Sequence, residues 1–401
     1  MSEFGVSPAT KWPFSALHEL THRPRNHVAS LDGLRAIAVL LVIFGHWVFE
    51  WVTVAHHSEP AISKLPMFYW GWTGVDLFFV LSGFLIGKQL WGELYRTDTI
   101  DIGRFILRRG LRIWPLYYAW MLFLWLVQSS KAPSWSDWAL VSNYFDARYA
   151  RSWSLSSEEQ FYFLMPTLLV VFRRLIPQKW WPACIVAMLA VVPLVRSVTF
   201  HVLSARGFDG PTVSTMMYSP LHLHCEPLLA GMLVAWVAQR RPTWLAAQPD
   251  GVMATRVLLV AGCMAILGVA LRTVNREAFA YVALGSVYAS ALCIALADRS
   301  WLTAILRWGG WYLIARLSFG MYLNHLILRE PTDTIIAFVS RLLGPESVLA
   351  FLLGLLLTVI GSATMAAISF VLVEQPGLAL RDRWLARRQK LAEPQRALTT
   401  S

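Results

Sequence analysis

Long apolar runs alternate with short polar ones along this chain, and the runs are long enough to be membrane-crossing helices. They fall near 33–52, 67–88, 111–128, 157–172, 180–196, 220–238, 256–271, 278–297, 311–329 and 348–373, which predicts ten spans. An even number puts both termini on one side. That side carries more than twice as many Lys and Arg as the other, so the positive-inside rule places both termini in the cytoplasm. The expected fold is an all-α polytopic membrane protein, a bundle of about ten transmembrane helices with N- and C-termini cytoplasmic. The fifth span, interrupted by Pro182 and Pro193, and the eighth, rich in Ala and Ser, carry the weakest signal. Residues 1–30 read as a cytoplasmic lead without a signal-peptide core, 31–376 as the transmembrane domain, and 377–401 as a basic cytoplasmic tail.

Composition agrees with this pattern. With 56% hydrophobic and only 15% charged residues, the chain is not an ordinary soluble protein. Many of its tryptophans, Trp70, Trp72, Trp180, Trp181, Trp301 and Trp311 among them, lie near span ends, where aromatic belts meet the lipid bilayer. A net charge of +11 raises the question of nucleic acid, but the basic residues sit at helix ends, so no nucleic-acid partner is expected. The cysteines at 184, 225, 263 and 293 form no CxxC pair and read as packing residues. No internal repeat is evident, which removes one sign of a secondary transporter.

Ionisable residues inside apolar spans are the candidates for chemistry. In LDGLRAIAVLLVIFGHW, Arg35 and His46 are eleven residues apart. That separation is about 16 Å and about three whole turns of helix, so both share one face. They line a polar pathway, or they are a snorkelling arginine and a satisfied core histidine. In RFILRRGLRIWPLYY, Arg109 and Arg112 share a helix face, with Arg104 and Arg108 close by. Such a cluster anchors a helix at lipid headgroups, or with Arg35 it forms a polyphosphate site. Asp76, in GVDLFFVLSGFLIG, needs a partner or a water-filled cavity, and Ser82 and Gly83 permit close helix approach. In SWSLSSEEQFYFLMP, Ser157, Glu158 and Glu159 resemble a helix start, so capping competes with function for one carboxylate. Glu158 and Glu159 point about 100° apart on a helix, so at most one faces a central cavity. Trp153 and Tyr162 add rings suited to a polar organic substrate. His222 and Glu226 share a face while His224 points away, so no metal site is expected. His325 reads as a core or interface histidine, and Pro376 follows Glu374 at the end of the last span.

Together these segments resemble the membrane acyltransferase-3 family, bacterial acyltransferases acting on O-antigens, exopolysaccharides, periplasmic glucans and macrolides. LDGLRAIAVLLVIFGH matches its first-helix motif, an arginine followed after ten residues by histidine. GVDLFFVLSGFLI, RRGLRIWPLYY, WSLSSEEQFYF, SFGMYLNH and VEQP match later motifs in order, across residues 31–376. The resemblance implies a cytoplasmic acyl-CoA donor, acetyl-CoA by default, with no bound cofactor. It implies donor-phosphate contacts at Arg35, Arg109 and Arg112, catalysis at His46, and a family glutamate at Glu158. Where many members read Thr-His-Leu-Arg-Leu-Asp, this chain has Leu221-His222-Leu223-His224-Cys225-Glu226, so no family role carries over there. The chain is expected to be of the stand-alone type, without the hydrolase-like extension of some members.

The resulting expectation is an inner-membrane O-acyltransferase acting on a hydroxyl of a carbohydrate or other small hydroxylated envelope acceptor. His46 acts as general base, oriented by Asp76 or Glu158. A multi-pass transporter or permease is the alternative, since intramembrane charges also line translocation paths.

Overall fold

The computed structural model describes residues 14–24, 28–54, 71–127, 132–145, 152–240, 279–297, 301–325, 329–344 and 347–384, and among these every regular element is a helix. The N-terminal part comprises α1 (Phe14–Thr21), α2 (Ala29–Val54), α3 (Gly74–Thr97), α4 (Ile102–Val127), the short α5 (Trp135–Trp138) and α6 (Trp153–Phe172). Next come α7 (Trp181–Ala205), α8 (Gly210–Tyr218), α9 (Glu226–Arg240) and α10 (Phe279–Ala297). The rest is α11 (Trp301–Leu306), α12 (Trp311–Asn324), α13 (Arg329–Leu343) and α14 (Val348–Ser369), which runs on through a π-turn at Phe370–Glu374.

Among the described residues, six helices are long and apolar enough to cross a membrane: α2, α3, α4, α7, α10 and α14 with its continuation. Three expected spans are helices of a different kind. α6 opens on a polar first half, while α9 and α12 have only 15 and 14 residues. α9 starts late because residues 221–223 form a separate 3₁₀ turn and Pro227 suits only a first helical turn. The expected span at 256–271 lies outside the described residues.

The directions of neighbouring helices follow from their contacts. α3 and α9 run parallel and are the closest pair. A Cβ on Gly83 would sit 2.0 Å from the Leu228 carbonyl oxygen, one on Gly231 2.0 Å from that of Val80, and one on Gly87 2.8 Å from the Ala235 side chain. Only glycine lets two backbones approach this far, as at small-residue interfaces in membranes. α2 and α12 are also parallel: Val39 and Ile43 pack with Leu317 and Met321, and His46 meets His325. α14 runs back along α12, with Gly320 on Ala366 and the Asn324 amide donating to the Ser362 carbonyl at 3.0 Å. α7 is antiparallel to α9, joined through Arg240 to Gln178 before α7 at one end and Arg196 to Glu226 at the other. Tyr281, near the start of α10, stacks on His224, so residues 240 and 279 lie at opposite ends of the bundle. Glu19 pairs with Arg316, which lies over Phe370, bringing the first and last described segments to one end. Arg35 and Arg112 lie toward that arginine end, and His46, His325 and His224 toward the opposite, histidine end. There the amphipathic α13 places Ile336 and Val339 against Trp47, Trp51 and Phe351.

Candidate active site

A cavity of about 100 Å³ opens between α2, α3, α4, α6 and α12. Arg35, Arg109 and Arg112 line it together with Glu158, Tyr162, Ser82, Ser154, Ser318 and Tyr322. Four of the six residues singled out from sequence therefore meet in one place. Arg109 is held in part by the protein: it donates to the Leu85 carbonyl at 3.4 Å and the Gln89 amide oxygen at 3.3 Å, and lies 5.7 Å from the Tyr162 ring centre. Arg35 and Arg112 make no hydrogen bond or ion pair within the described residues, although the Glu158 and Glu374 carboxylates act on them electrostatically. Other arginines of the bundle are paired, Arg23 with Asp32 at 3.0 Å, Arg196 with Glu226 at 2.5 Å and Arg316 with Glu19 at 2.9 Å. Two guanidinium forks facing one cavity without a protein acceptor are chemically suited to phosphate oxygens.

Glu158 stands on the cavity wall opposite these forks. Its Oε1 accepts from the hydroxyls of Ser82 and Tyr162, which are themselves 2.7 Å apart. The i, i+4 spacing of Glu158 and Tyr162 on α6 puts them on one face, and Ser82 comes from parallel α3. α6 begins at Trp153, so Glu158 is in its second turn and is not a cap. Glu159 faces elsewhere, as the rotation per residue requires, and accepts from the Trp114 indole at 2.8 Å.

His46 does not line the cavity. Its Nδ1 is 2.8 Å from the Val42 carbonyl, one turn back on α2. A carbonyl oxygen only accepts, so Nδ1 carries a proton, and in the neutral ring the basic lone pair is on Nε2. Its ring is 5.0 Å from that of His325, and the His325 ring is 5.6 Å from that of Tyr322, a residue of the cavity wall. Buried Glu50 follows His46 by one turn on the same face.

Neither carboxylate expected to orient His46 bonds to it. Glu158 is engaged by Ser82 and Tyr162, and Asp76 Oδ1 is 2.8 Å from His224 Nε2, both side chains fully buried. Asp76 thus bonds the histidine whose register brings it alongside α3, since parallel packing of α3 on α9 sets residue 76 against residue 224. His224 Nδ1 faces the Tyr218 carbonyl at 2.8 Å and its ring stacks on Tyr281 at 3.8 Å. Of its sequence neighbours, His222 meets the Tyr144 hydroxyl at 3.0 Å and Glu226 meets Arg196. Tyr322, Ser154, Arg196 and the His46–His325 pairing were not singled out from sequence. A lone arginine in an apolar span was the available signal for Arg196, and a second histidine in a polar-tipped helix the one for His325.

The bundle and its cationic cavity define a helical, multi-pass membrane protein with an anion-binding pocket. The model of an acyltransferase domain matches residues 28–367, and the chain belongs to this family, acyltransferase-3. It is 28% identical over 240 residues to the peptidoglycan O-acetyltransferase OatA of Listeria monocytogenes, covering 54% of this chain and 35% of that protein. It is 29% identical over 354 residues to the putative peptidoglycan O-acetyltransferase YrhL of Bacillus subtilis, covering 78% and 51%. The O-acetyltransferase OatA of Staphylococcus aureus is 25% identical over 389 residues, covering 89% and 58%. The matched region thus spans between about a third and three fifths of these relatives' own length. No solved structure matches the chain.

Proposed function

We propose that the chain is an O-acyltransferase of the bacterial plasma membrane. It moves an acyl group, acetyl by analogy with the relatives, from cytoplasmic acyl-CoA to a hydroxyl of an envelope carbohydrate such as peptidoglycan. The observation carrying this reading is the pair of arginines, Arg35 and Arg112, that face one cavity without a protein partner in a chain of this family. The membrane topology is ten crossings with both termini cytoplasmic, which turns the arginine end toward the compartment that holds acyl-CoA.

In this mechanism the donor's phosphates lie on Arg35, Arg109 and Arg112, and its pantetheine arm extends toward the histidine end. His46 is about 16 Å farther along α2, within reach of such an arm. Its Nε2 removes the proton of the acceptor hydroxyl as that oxygen attacks the thioester carbonyl. The C–S bond then breaks, and the CoA thiolate leaves and is protonated. The Val42 carbonyl holds the reactive tautomer, and His325 confines the ring. Glu158, held by Ser82 and Tyr162, balances the arginine charge and shapes the passage between the two ends. A protein-walled passage also limits loss of the thioester to water. Membership of an acyltransferase family favours transfer over transport.

The test uses the full chain in nanodiscs with acetyl-CoA and glycan acceptors, following free thiol. Acceptor-dependent CoA release is expected, abolished by His46→Ala with acetyl-CoA binding retained. Undiminished turnover in His46→Ala would remove the base assignment, and absence of acyl-CoA binding in the parent chain would remove the donor.

A further inference from the structure

On the opposite side of α6 from the cavity lies a groove of about 740 Å³ between α4 and α6, reaching the loop at residues 139–141. That volume is within the range of about 300–1,000 Å³ common for ligand pockets. Its walls are mainly apolar, and Phe163 and Leu164 on its rim are 47% and 44% exposed on a membrane-facing surface. Glu159 lies in this groove although only 3% of it is exposed. Oε2 takes the Trp114 indole proton, while Oε1 is buried with no hydrogen-bond partner among the described residues. A buried carboxyl oxygen left unbonded is destabilising, so its retention points to a ligand group.

The remaining polar groups of the groove narrow the ligand. The Gln160 amide is fully engaged: its NH₂ donates to the Leu140 carbonyl and Asn143, and its oxygen accepts from Asn143. The Thr167 hydroxyl donates to the Phe163 carbonyl at 2.7 Å, and the Tyr118 hydroxyl to that of Trp138 at 3.2 Å. One unmet polar position therefore sits in an otherwise hydrocarbon-like channel. No Lys, Arg or His lines it, so nothing there would neutralise a phosphate headgroup beside the Glu159 carboxyl.

We infer that this groove is a binding site for a neutral membrane amphiphile, whose hydrocarbon chain lies along α4 and α6 and whose free hydroxyl bonds Glu159 Oε1. A hydroxyl both gives and takes a hydrogen bond, so it satisfies Oε1 whether or not that oxygen carries a proton. The ligand class is a long-chain alcohol or diacylglycerol, and it enters laterally from the bilayer past Phe163 and Leu164. The site is separate from the arginine cavity and needs no acyl-CoA.

The experiment uses the full chain in nanodiscs, without acyl-CoA, and two photoreactive diazirine probes of equal chain length: a long-chain alcohol and the corresponding alkane. The alcohol is expected to label peptides containing Phe163, Leu164 or Leu221, with the alkane at least about tenfold weaker. Unlabelled long-chain alcohol should compete, and a phospholipid of the same chain length should not. Glu159→Leu should remove the alcohol's advantage. Leu164→Trp, which narrows the groove and leaves Glu159 intact, should reduce labelling by both probes and serves if Glu159→Leu fails to fold. Equal labelling by alcohol and alkane, labelling confined to other helices, or labelling unchanged in Leu164→Trp would overturn the inference. Loss of acyl-CoA binding would bear only on the arginine cavity.

Discussion

Arg112→Ala isolates the contribution of an unpartnered guanidinium. Arg112 gives no hydrogen bond or ion pair to the described residues, so its removal breaks no internal contact of that kind and relieves like-charge repulsion with Arg35. The ligand-free variant should therefore melt no lower than the parent. Toward the donor the effect is opposite. A charge-assisted hydrogen bond contributes roughly 1.5–3 kcal/mol. At 1.4 kcal/mol per decade this weakens acyl-CoA binding by about 10- to 150-fold. Thermal stabilisation reads both arms at once. A ligand present at about 100 times its Kd stabilises the folded state by about 2.7 kcal/mol, and a hundredfold rise in Kd reduces that to about 0.4 kcal/mol. The assay is a melt of the full chain in detergent with and without acetyl-CoA, alongside direct titration. Arg112→Lys, which keeps the charge and loses the planar fork, should fall between the two. A Kd within twofold of the parent would refute the donor-site assignment. So would a sharp drop in the ligand-free melting temperature, because it would give Arg112 a structural role.

Glu158→Gln should lower acyl-transfer kcat by at least about tenfold while the protein remains folded, because the amide keeps an acceptor for Ser82 and Tyr162 but removes the charge facing the arginines; unchanged kcat checks against it. Gly83→Leu should prevent α3 from seating on α9, since even a Cβ there would be 2.0 Å from the Leu228 carbonyl oxygen; loss of the monodisperse peak in size-exclusion chromatography is the readout. Arg196→Ala leaves Glu226 buried and unpaired and should destabilise by about 3–5 kcal/mol, whereas Arg196→Met combined with Glu226→Gln should recover much of that, measured by chemical unfolding.

The long apolar runs were legible because length and composition alone decide whether a helix can cross a bilayer. α2, α3, α7, α10 and α14 all overlap spans expected from hydropathy. α6 was legible only in its apolar second half. Its first turns are polar because they pack inside the bundle, where Ser156 bonds Ser142 and Ser157 bonds Asn143. Hydropathy reports preference for lipid and is blind to a polar face satisfied by protein. Arg109 and Arg112 were legible from helical spacing, and Arg35 joined them through the side of the bundle it shares. The partner of Asp76 was not legible. Sequence says that an intramembrane carboxylate needs a partner, but the choice of His224 over His46 depends on the register of α3 against α9, which Gly83 and Gly231 set through backbone contact.

The bundle treats its buried charges in two ways, and the difference explains why the arginine cavity persists. Asp76–His224 and Arg196–Glu226 are closed pairs. With Tyr281 against both His224 and Arg196, they tie α3, α7, α9 and α10 together at the histidine end. Such pairs add little net stability over apolar packing, but breaking one is severely destabilising, so they hold register. Arg35 and Arg112 are open. The nearest carboxylate able to close on them is Glu158, and Ser82 and Tyr162 already bond its Oε1, holding it on the far wall of the cavity. Those two hydroxyls therefore do more than satisfy a buried acid: they keep Glu158 from collapsing onto the guanidinium groups. The cations are left with their hydrogen-bond donors directed at a ligand.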